Sequence, residues 1–186
     1  MTDRLNVQRN PALVDVSALA HVRQVRFIEL QDLPITTLPS FAPDFHGFRT
    51  LDLSGLPELV DLAPAAWPGL LEEYGAVGVT IVDVPKLKSI AELAGPIGAP
   101  MADVKVVLEL ADLPSLTDLT GLEAVRDGYV RLARLPQVTS LVPLAGLEQA
   151  DDLRCSWGIE HHADATGETS SRSKLPPTGG GPGRSS

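Results

Sequence analysis

Aromatic side chains are scarce in this sequence, which has four Phe, two Tyr and two Trp in 186 residues. A buried core must therefore consist mainly of Leu, Val, Ile and Ala. Cys155 is the single cysteine, so the chain can form neither an internal disulfide bond nor a metal site built from cysteines. A reducing compartment is compatible with this composition.

Positive charge is also scarce. The chain has four lysines and eleven arginines, and its net charge is −9 at pH 7. Nucleic acid and anionic membrane surfaces require basic patches, so we expect neither as a partner. The sequence has no run of eighteen apolar residues, and its first ten residues, MTDRLNVQRN, include no apolar signal segment. We therefore expect no membrane insertion and, by default, a cytoplasmic location.

Proline, by contrast, is abundant, and six of the sixteen prolines recur within one pattern. Their spacings are 23, 23, 28, 29 and 22 residues. The six prolines are Pro11, Pro34, Pro57, Pro85, Pro114 and Pro136. Such a repeat predicts stacked copies of one unit, none of which can bury its apolar side alone.

The residues before each repeated proline alternate between apolar and polar, which predicts a half-buried strand. The apolar positions six and four residues before the prolines hold Leu5 and Val7, Ile28 and Leu30, Leu51 and Leu53, Val79 and Ile81, Leu108 and Leu110, and Val130 and Leu132. Each proline stands just past its strand, where its missing N–H costs no ladder hydrogen bond. After the proline, apolar residues recur every third position, which predicts short 3₁₀-like or extended return segments.

These patterns predict a repeat solenoid over residues 1–162, with a parallel β-sheet of about six rungs and few or short helices. Residues 163–186 contain few apolar side chains and predict a disordered tail. The two longer intervals predict insertions, a short amphipathic helix at 64–78 and an irregular loop at 94–104. Residues 151–162 are expected to close the last rung, with Trp157 covering its apolar end.

Two stretches resemble known repeat families. FRTLDLSGLPELVDL (residues 48–62) resembles the leucine-rich repeat, with Leu56 where Asn or Cys usually stands. NPALVDVSALAHV (residues 10–22) resembles the turn of receptor L domains, which are right-handed single-stranded β-solenoids. The resemblance covers residues 5 to about 157 and leaves a horseshoe and a tighter β-solenoid open. The usual asparagine is absent from five copies, so an asparagine ladder cannot support these rungs. The cysteine-rich modules that flank receptor L domains are absent too.

Side chains between the inward positions point outward and form a candidate binding face. Its residues are Phe27, Glu29, Gln31, Thr50, Asp52, Ser54, Thr80, Val107, Glu109, Tyr129 and Arg131. We expect a non-enzymatic module that presents this face to a protein or peptide, and its acidic side chains favour a basic partner. No cofactor and no metal are expected.

Two other functions compete with this interpretation. The chain could be a surface or adhesion fragment of a longer secreted protein. It could also act on glycans, because Glu29 and Asp52 are expected on neighbouring rungs about 4.8 Å apart at the backbone. Retaining glycosidases use two carboxylates at a similar separation. An exposed sheet face without a flanking aromatic platform argues against this second alternative.

Three aspartates, Asp32, Asp83 and Asp112, each stand two residues before a repeated proline. Aspartate at the junction of a strand and a turn predicts a turn-capping role. A calcium site would need several oxygens converging on one point, whereas these residues belong to different rungs.

The C-terminal region offers weaker motifs. Cys155 is expected to be a small buried side chain rather than a nucleophile. Glu160, His161 and His162 could bind a metal, but histidines at a flexible end lack a fixed geometry. LPPTG (175–179) matches a sortase signal without the apolar span that follows such signals.

Overall fold

The computed structural model describes residues 4–38, 41, 45, 48–62, 76–94 and 105–156. Within these ranges, seven strands form one parallel sheet whose strand order follows the sequence order. The strands are β1 (Arg4–Gln8), β2 (Phe27–Gln31), β3 (Thr50–Ser54), β4 (Ala76–Val82), β5 (Lys105–Ala111), β6 (Asp127–Ala133) and β7 (Gln149–Ser156). The sheet does not close, and β1 and β7 are its outer strands.

Within the described ranges, the parallel sheet and the shortage of helices are confirmed, but the count of about six strands is wrong. β7 lies in the segment that was expected only to close the last rung. Its Leu153 and Cys155 pair with Val130 and Leu132 of β6, so they continue the inward alternation. An alignment based on prolines misses this strand because no proline follows it closely.

The strands pair so that equivalent residues of successive copies become neighbours. Leu30 pairs with Leu53, Leu53 with Ile81, and Ile81 with Leu110. All four side chains are at most 1% exposed. The inward positions therefore stack Leu on Leu or Ile along the sheet, and burial of this apolar surface is the main favourable contribution to folding.

Each of the first six strands is followed by a residue with positive φ, and we call these six residues the corner row. The corner row consists of Arg9, Asp32, Gly55, Asp83, Asp112 and Arg134, with φ between 52° and 61°. The N–H of each donates to the carbonyl of the last residue of the next strand, at 2.9–3.1 Å. The hydrogen-bond ladder of the sheet thus continues through the corner while the chain changes direction.

The repeated prolines lie in tight turns directly after the corner row. In every copy except that at Pro34, the residue before the proline accepts a hydrogen bond from the N–H three residues further on, as Leu56 does from Leu59 and Leu113 from Leu116. Proline suits the second position of such a turn because its φ is already fixed. The copy at Pro34 is one residue shorter and buries Ile35 and Leu38 instead.

The return segments follow the three-residue period of the sequence. Leu122 donates to the carbonyl of Leu119 at 3.2 Å, which is the hydrogen-bond pattern of a 3₁₀ turn. Short 3₁₀ helices span Ser17–His21, Ala91–Leu93 and Val142–Leu144. Leu141, five residues after Pro136, continues this period but is 38% exposed. Leu141 belongs to the copy at Pro136, the last one that a repeated proline marks. No later return segment packs against it within the described residues, so it stays partly exposed.

One aromatic cluster contributes to the core. The rings of Phe41 and Phe45 stack with their centroids 4.5 Å apart, and Phe48 is fully buried. Phe41 continues the three-residue period of Ile35 and Leu38.

Several expected features fall on residues outside the described ranges. These features are most of the helix at 64–78, the loop at 95–104, the cap at Trp157 and the boundary between 162 and 163. The last three residues of the expected helix, Ala76 to Gly78, instead begin β4.

Gly128 has a backbone position that no other residue type can occupy without a shift. Its φ is 145°, and a Cβ atom there would lie 1.9 Å from the carbonyl oxygen of Val106. We predict that Gly128→Ala lowers the free energy of unfolding by about 2–4 kcal/mol. Gly78→Ala is the matched control, because its Cβ would meet Thr50 at 3.5 Å, an ordinary contact. Urea denaturation followed by circular dichroism should show almost no change for the control, and equal effects would contradict the prediction.

The two faces of β5 provide a second test. Leu110 is fully buried and Val107 is 45% exposed on the same strand. We predict that Leu110→Ala lowers the free energy of unfolding by about 2–5 kcal/mol. Val107→Ala should change it by no more than about 0.5 kcal/mol. Denaturant midpoints would measure both, and a larger loss for Val107→Ala would mean that the inward and outward faces are assigned wrongly.

Candidate functional site

The strand side chains that point away from the core form three parallel rows, which together we call the outer face. The first row is Arg4, Phe27, Thr50, Gly78, Val107, Tyr129 and Asp152. The middle row is Asn6, Glu29, Asp52, Thr80, Glu109, Arg131 and Arg154. The third row is Gln8, Gln31, Ser54, Val82, Ala111, Ala133 and Ser156. All eleven residues of the candidate binding face lie in these rows.

The predicted binding face lacks several members of the outer face. Arg4 and Asn6 precede the first complete interval between prolines, and Asp152 and Arg154 belong to the unexpected β7. Gly78 and Val82 are on β4 between the chosen side chains. The same alternation, extended to both outer strands and to every outward position of β4, includes all six.

At the β1 end of the outer face, Glu29 is held by two side chains of β1. The Asn6 amide donates to Glu29 Oε2 at 2.6 Å, and the Arg4 guanidinium lies 3.4 Å from Glu29 Oε1. Arg4 also stands over the ring of Phe27, 5.3 Å from its centroid, in a cation–π arrangement. The charge of Glu29 is therefore offset within the sheet.

Asp52 is held differently, by neutral donors. Gln31 donates to Asp52 Oδ2 at 3.2 Å, and the Ser54 hydroxyl donates to Asp52 Oδ1. Asp52 is the register partner of Glu29, as the spacing predicted. Each of these two carboxylates is bonded by its own set of sheet side chains.

At the β7 end, acidic side chains are paired with arginine. Arg131 donates to Glu109 on the neighbouring strand, and Arg154 donates to Asp152 at 2.7 Å on its own strand. Exposed pairs of this kind add little stability, but they reduce the net charge that the face presents.

Between the two charged ends lies a neutral strip, which we define as Gly78, Thr80, Val82, Val107 and Ala111. Gly78, Thr80 and Val82 follow one another on the outward side of β4, and Val107 and Ala111 lie beside them on β5. Val107 is 45% exposed, whereas its strand neighbours Val106 and Leu108 are buried. The outer face thus combines an apolar centre with charged and amide side chains on both sides.

Asp32, Asp83 and Asp112, the three aspartates before the prolines, belong to the corner row because their backbones have a positive φ. Aspartate tolerates positive φ better than most residues do. Among the described residues, no backbone N–H bonds to their carboxylates. Side-chain capping is instead done on return segments by Asp15 and Asp118, which accept from the N–H of Ser17 and Thr120. These hydrogen bonds lower the pKa of Asp15 and Asp118.

Cys155 is exposed, so the expectation of a buried cysteine is wrong. It points inward on β7, but that strand is the outermost one described and no further strand packs against it. Partial burial still raises the pKa of the thiol above its usual value, so the reactive thiolate is disfavoured.

The described residues contain no group of three or more His, Cys, Asp or Glu side chains that could hold a metal ion. No helix in the same ranges has the length and apolar character needed to cross a bilayer. Glu160, His161, His162 and the LPPTG motif lie outside the described ranges.

The hydrogen bond from Arg134 holds the pKa of the Asp112 carboxyl below its usual value. A lowered pKa in the folded state stabilises the fold above the unfolded-state pKa, and this stabilisation is lost as the pH falls through the folded-state pKa. We predict that Asp112→Asn lowers the free energy of unfolding by less than about 1 kcal/mol at pH 7, because both side chains of the pair remain partly exposed to water. The difference between wild type and variant should shrink as the pH falls below about 4.

Urea denaturation at several pH values would measure this difference. Arg134→Gln serves as the matched variant, because it removes the other half of the pair. The double variant should be no less stable than the worse single variant. A wild-type advantage that stays constant through the acid range would contradict the assignment.

Comparison of the chain with family models, with curated proteins and with solved structures gives no match.

Proposed function

We propose that this chain is a repeat solenoid, similar to leucine-rich repeats, whose outer face binds a protein or peptide partner without catalysing a reaction. The observation that supports the proposal best is the exposed Val107 within the neutral strip. Val107 presents nearly half of its surface to solvent on a strand whose other large apolar side chains, Val106, Leu108 and Leu110, are buried. The cost of leaving this surface in water is removed when a partner covers it.

The surroundings of the strip favour a protein partner. Protein interfaces commonly combine a partly apolar centre with a polar rim. Here the rim consists of the ion pair between Glu109 and Arg131 on one side and the amide-held Asp52 on the other. Such a rim offers fixed donors and acceptors whose side chains are already ordered, which reduces the entropy lost on binding.

The preference for a basic partner depends mainly on Asp52 rather than on all the acidic side chains of the outer face. Glu29 and Glu109 each already face an arginine of this chain. Asp52 accepts hydrogen bonds from neutral donors, so no cation of this chain offsets its charge in these contacts. A cationic group of the partner can therefore pair with Asp52. We therefore place the partner's apolar contact at Val107 and its donor at Asp52.

Two exposed valines allow a matched test. Val107 lies on the outer face and Val142, which is 75% exposed, lies on a return segment. We predict that Val107→Arg weakens binding at least about tenfold, because it places a charge in the centre of the interface. Val142→Arg should leave binding unchanged.

The measurement begins with affinity capture by the full chain from its source cells, followed by calorimetry with the purified partner. Circular dichroism would establish that both variants fold. A partner that binds Val107→Arg as tightly as wild type, or that is lost only with Val142→Arg, would place the interface elsewhere.

A further inference from the structure

A groove of about 360 Å³ lies at the corner of the fold, where the strands end. Its apolar wall consists of three repeated prolines from successive copies, Pro11, Pro34 and Pro57. Asp32 and Asp83 stand on its rim, with Gly55 between them. This groove is formed by the corner row and the turns, so it is separate from the outer face.

The groove exists because one position of the corner row has no side chain. The row runs Asp32, Gly55 and Asp83 on consecutive copies, so two carboxylates flank a glycine. Their backbones are two strand spacings apart, roughly 9.6 Å. Asp32 leans into the space, since a Cβ atom on Gly55 would lie 2.4 Å from its Oδ1.

Elsewhere in the corner row, aspartates pair with the arginine of a neighbouring copy. Arg134 follows Asp112 in the row, and its guanidinium donates to both carboxylate oxygens. At the β1 end of the row, Arg9 Nε lies 3.7 Å from Asp32 Oδ2, and both side chains are largely exposed. The carboxylate of Asp83 has no ion-pair or hydrogen-bond partner within the described residues.

We propose that the groove binds one arginine side chain from an exposed segment of a protein partner. The guanidinium would lie over Gly55, between the carboxylates of Asp32 and Asp83, and the aliphatic stem would pack on the prolines. Charge complementarity selects a cation, and the apolar wall suits a side chain with a long stem. Arginine fits better than lysine because its planar fork can pair with a carboxylate through two hydrogen bonds.

A bare metal ion is a poor occupant of this groove. Metal sites need several oxygens that converge within about 2.6 Å of one point. Among the residues that the structure describes, this groove offers only the carboxylates of Asp32 and Asp83, which supply fewer oxygens than such a site requires. The elongated guanidinium, which spreads its donors over a larger distance, matches the separation.

The test is an NMR titration of the full ¹⁵N-labelled chain with N-acetylarginine amide. The neutral isostere N-acetylcitrulline amide is the control ligand. We expect saturable shifts of the backbone amides of Asp32, Gly55 and Asp83 with the arginine compound. The citrulline compound and the Asp83→Asn variant should each bind about fivefold more weakly, as for loss of one exposed ion pair.

Two further variants make the result specific. Gly55→Arg supplies an arginine from the chain itself. Arg9 and Arg134 show that arginine adopts the required φ in this row, and the Asp32 carboxylate rotates away from the new Cβ atom. This variant should abolish the saturable shifts. Asp152→Asn removes the same charge at a distant position on β7 and should bind like wild type.

Equal binding of the arginine and citrulline compounds, or unchanged binding by Asp83→Asn, would overturn the proposal. So would a self-association of the wild type that Asp83→Asn abolishes, because the occupant would then be a second copy. Shifts of the same amides caused by Arg172→Gln would identify the chain's own tail as the occupant and would also overturn it. None of these outcomes depends on the outer face, so the proposed function is tested separately.

Discussion

The in-register stacking of the strands depends on the residue that follows each of them. At that point the chain must leave the sheet, yet its N–H must still reach the next copy. A positive φ achieves both, because it turns the chain while the N–H of residues such as Gly55 and Asp83 continues the ladder at 3.0 and 3.1 Å. If the corner slipped by one residue, the inward and outward side chains of the following strand would exchange faces. Six corners with nearly the same φ keep Leu30, Leu53 and Ile81 aligned.

The outer face inherits its order from the same constraint. Because equivalent positions become neighbours, a charged residue in one copy meets the residue at the same position in the next. This brings Arg131 beside Glu109, and Asn6 beside Glu29. The ends of the sheet therefore neutralise their own charges, while the uncharged residues of β4 and β5 leave an apolar area in the middle. The side chains of the outer face are therefore held in place by one another.

Most of the fold could be predicted from the sequence, because apolar alternation and repeated prolines have a direct structural cause. The inward residues, the parallel sheet and the short return segments follow from them. β7 could not be found in this way, since Cys155 and Leu153 carry the alternation without the proline that marks the other copies. The exposure of Cys155 could not be predicted either, because it depends on which strand is outermost. For the candidate site, the positions of Glu29 and Asp52 followed from periodicity. Their hydrogen-bond partners did not, because side-chain length and rotamer decide whether Gln31 or Arg4 reaches them.

The strand order has a consequence for how this architecture can change. Every strand pairs only with those adjacent to it in the sequence. The corners at Arg9, Asp32 and Gly55 are separated by equal intervals of 23 residues. A gene segment that encodes one such interval can therefore be duplicated or lost between two corners, and the new neighbours still present matching backbone groups and apolar side chains to each other. The length of the array, and with it the extent of the surface offered to other molecules, can evolve in whole units without redesign of the interior.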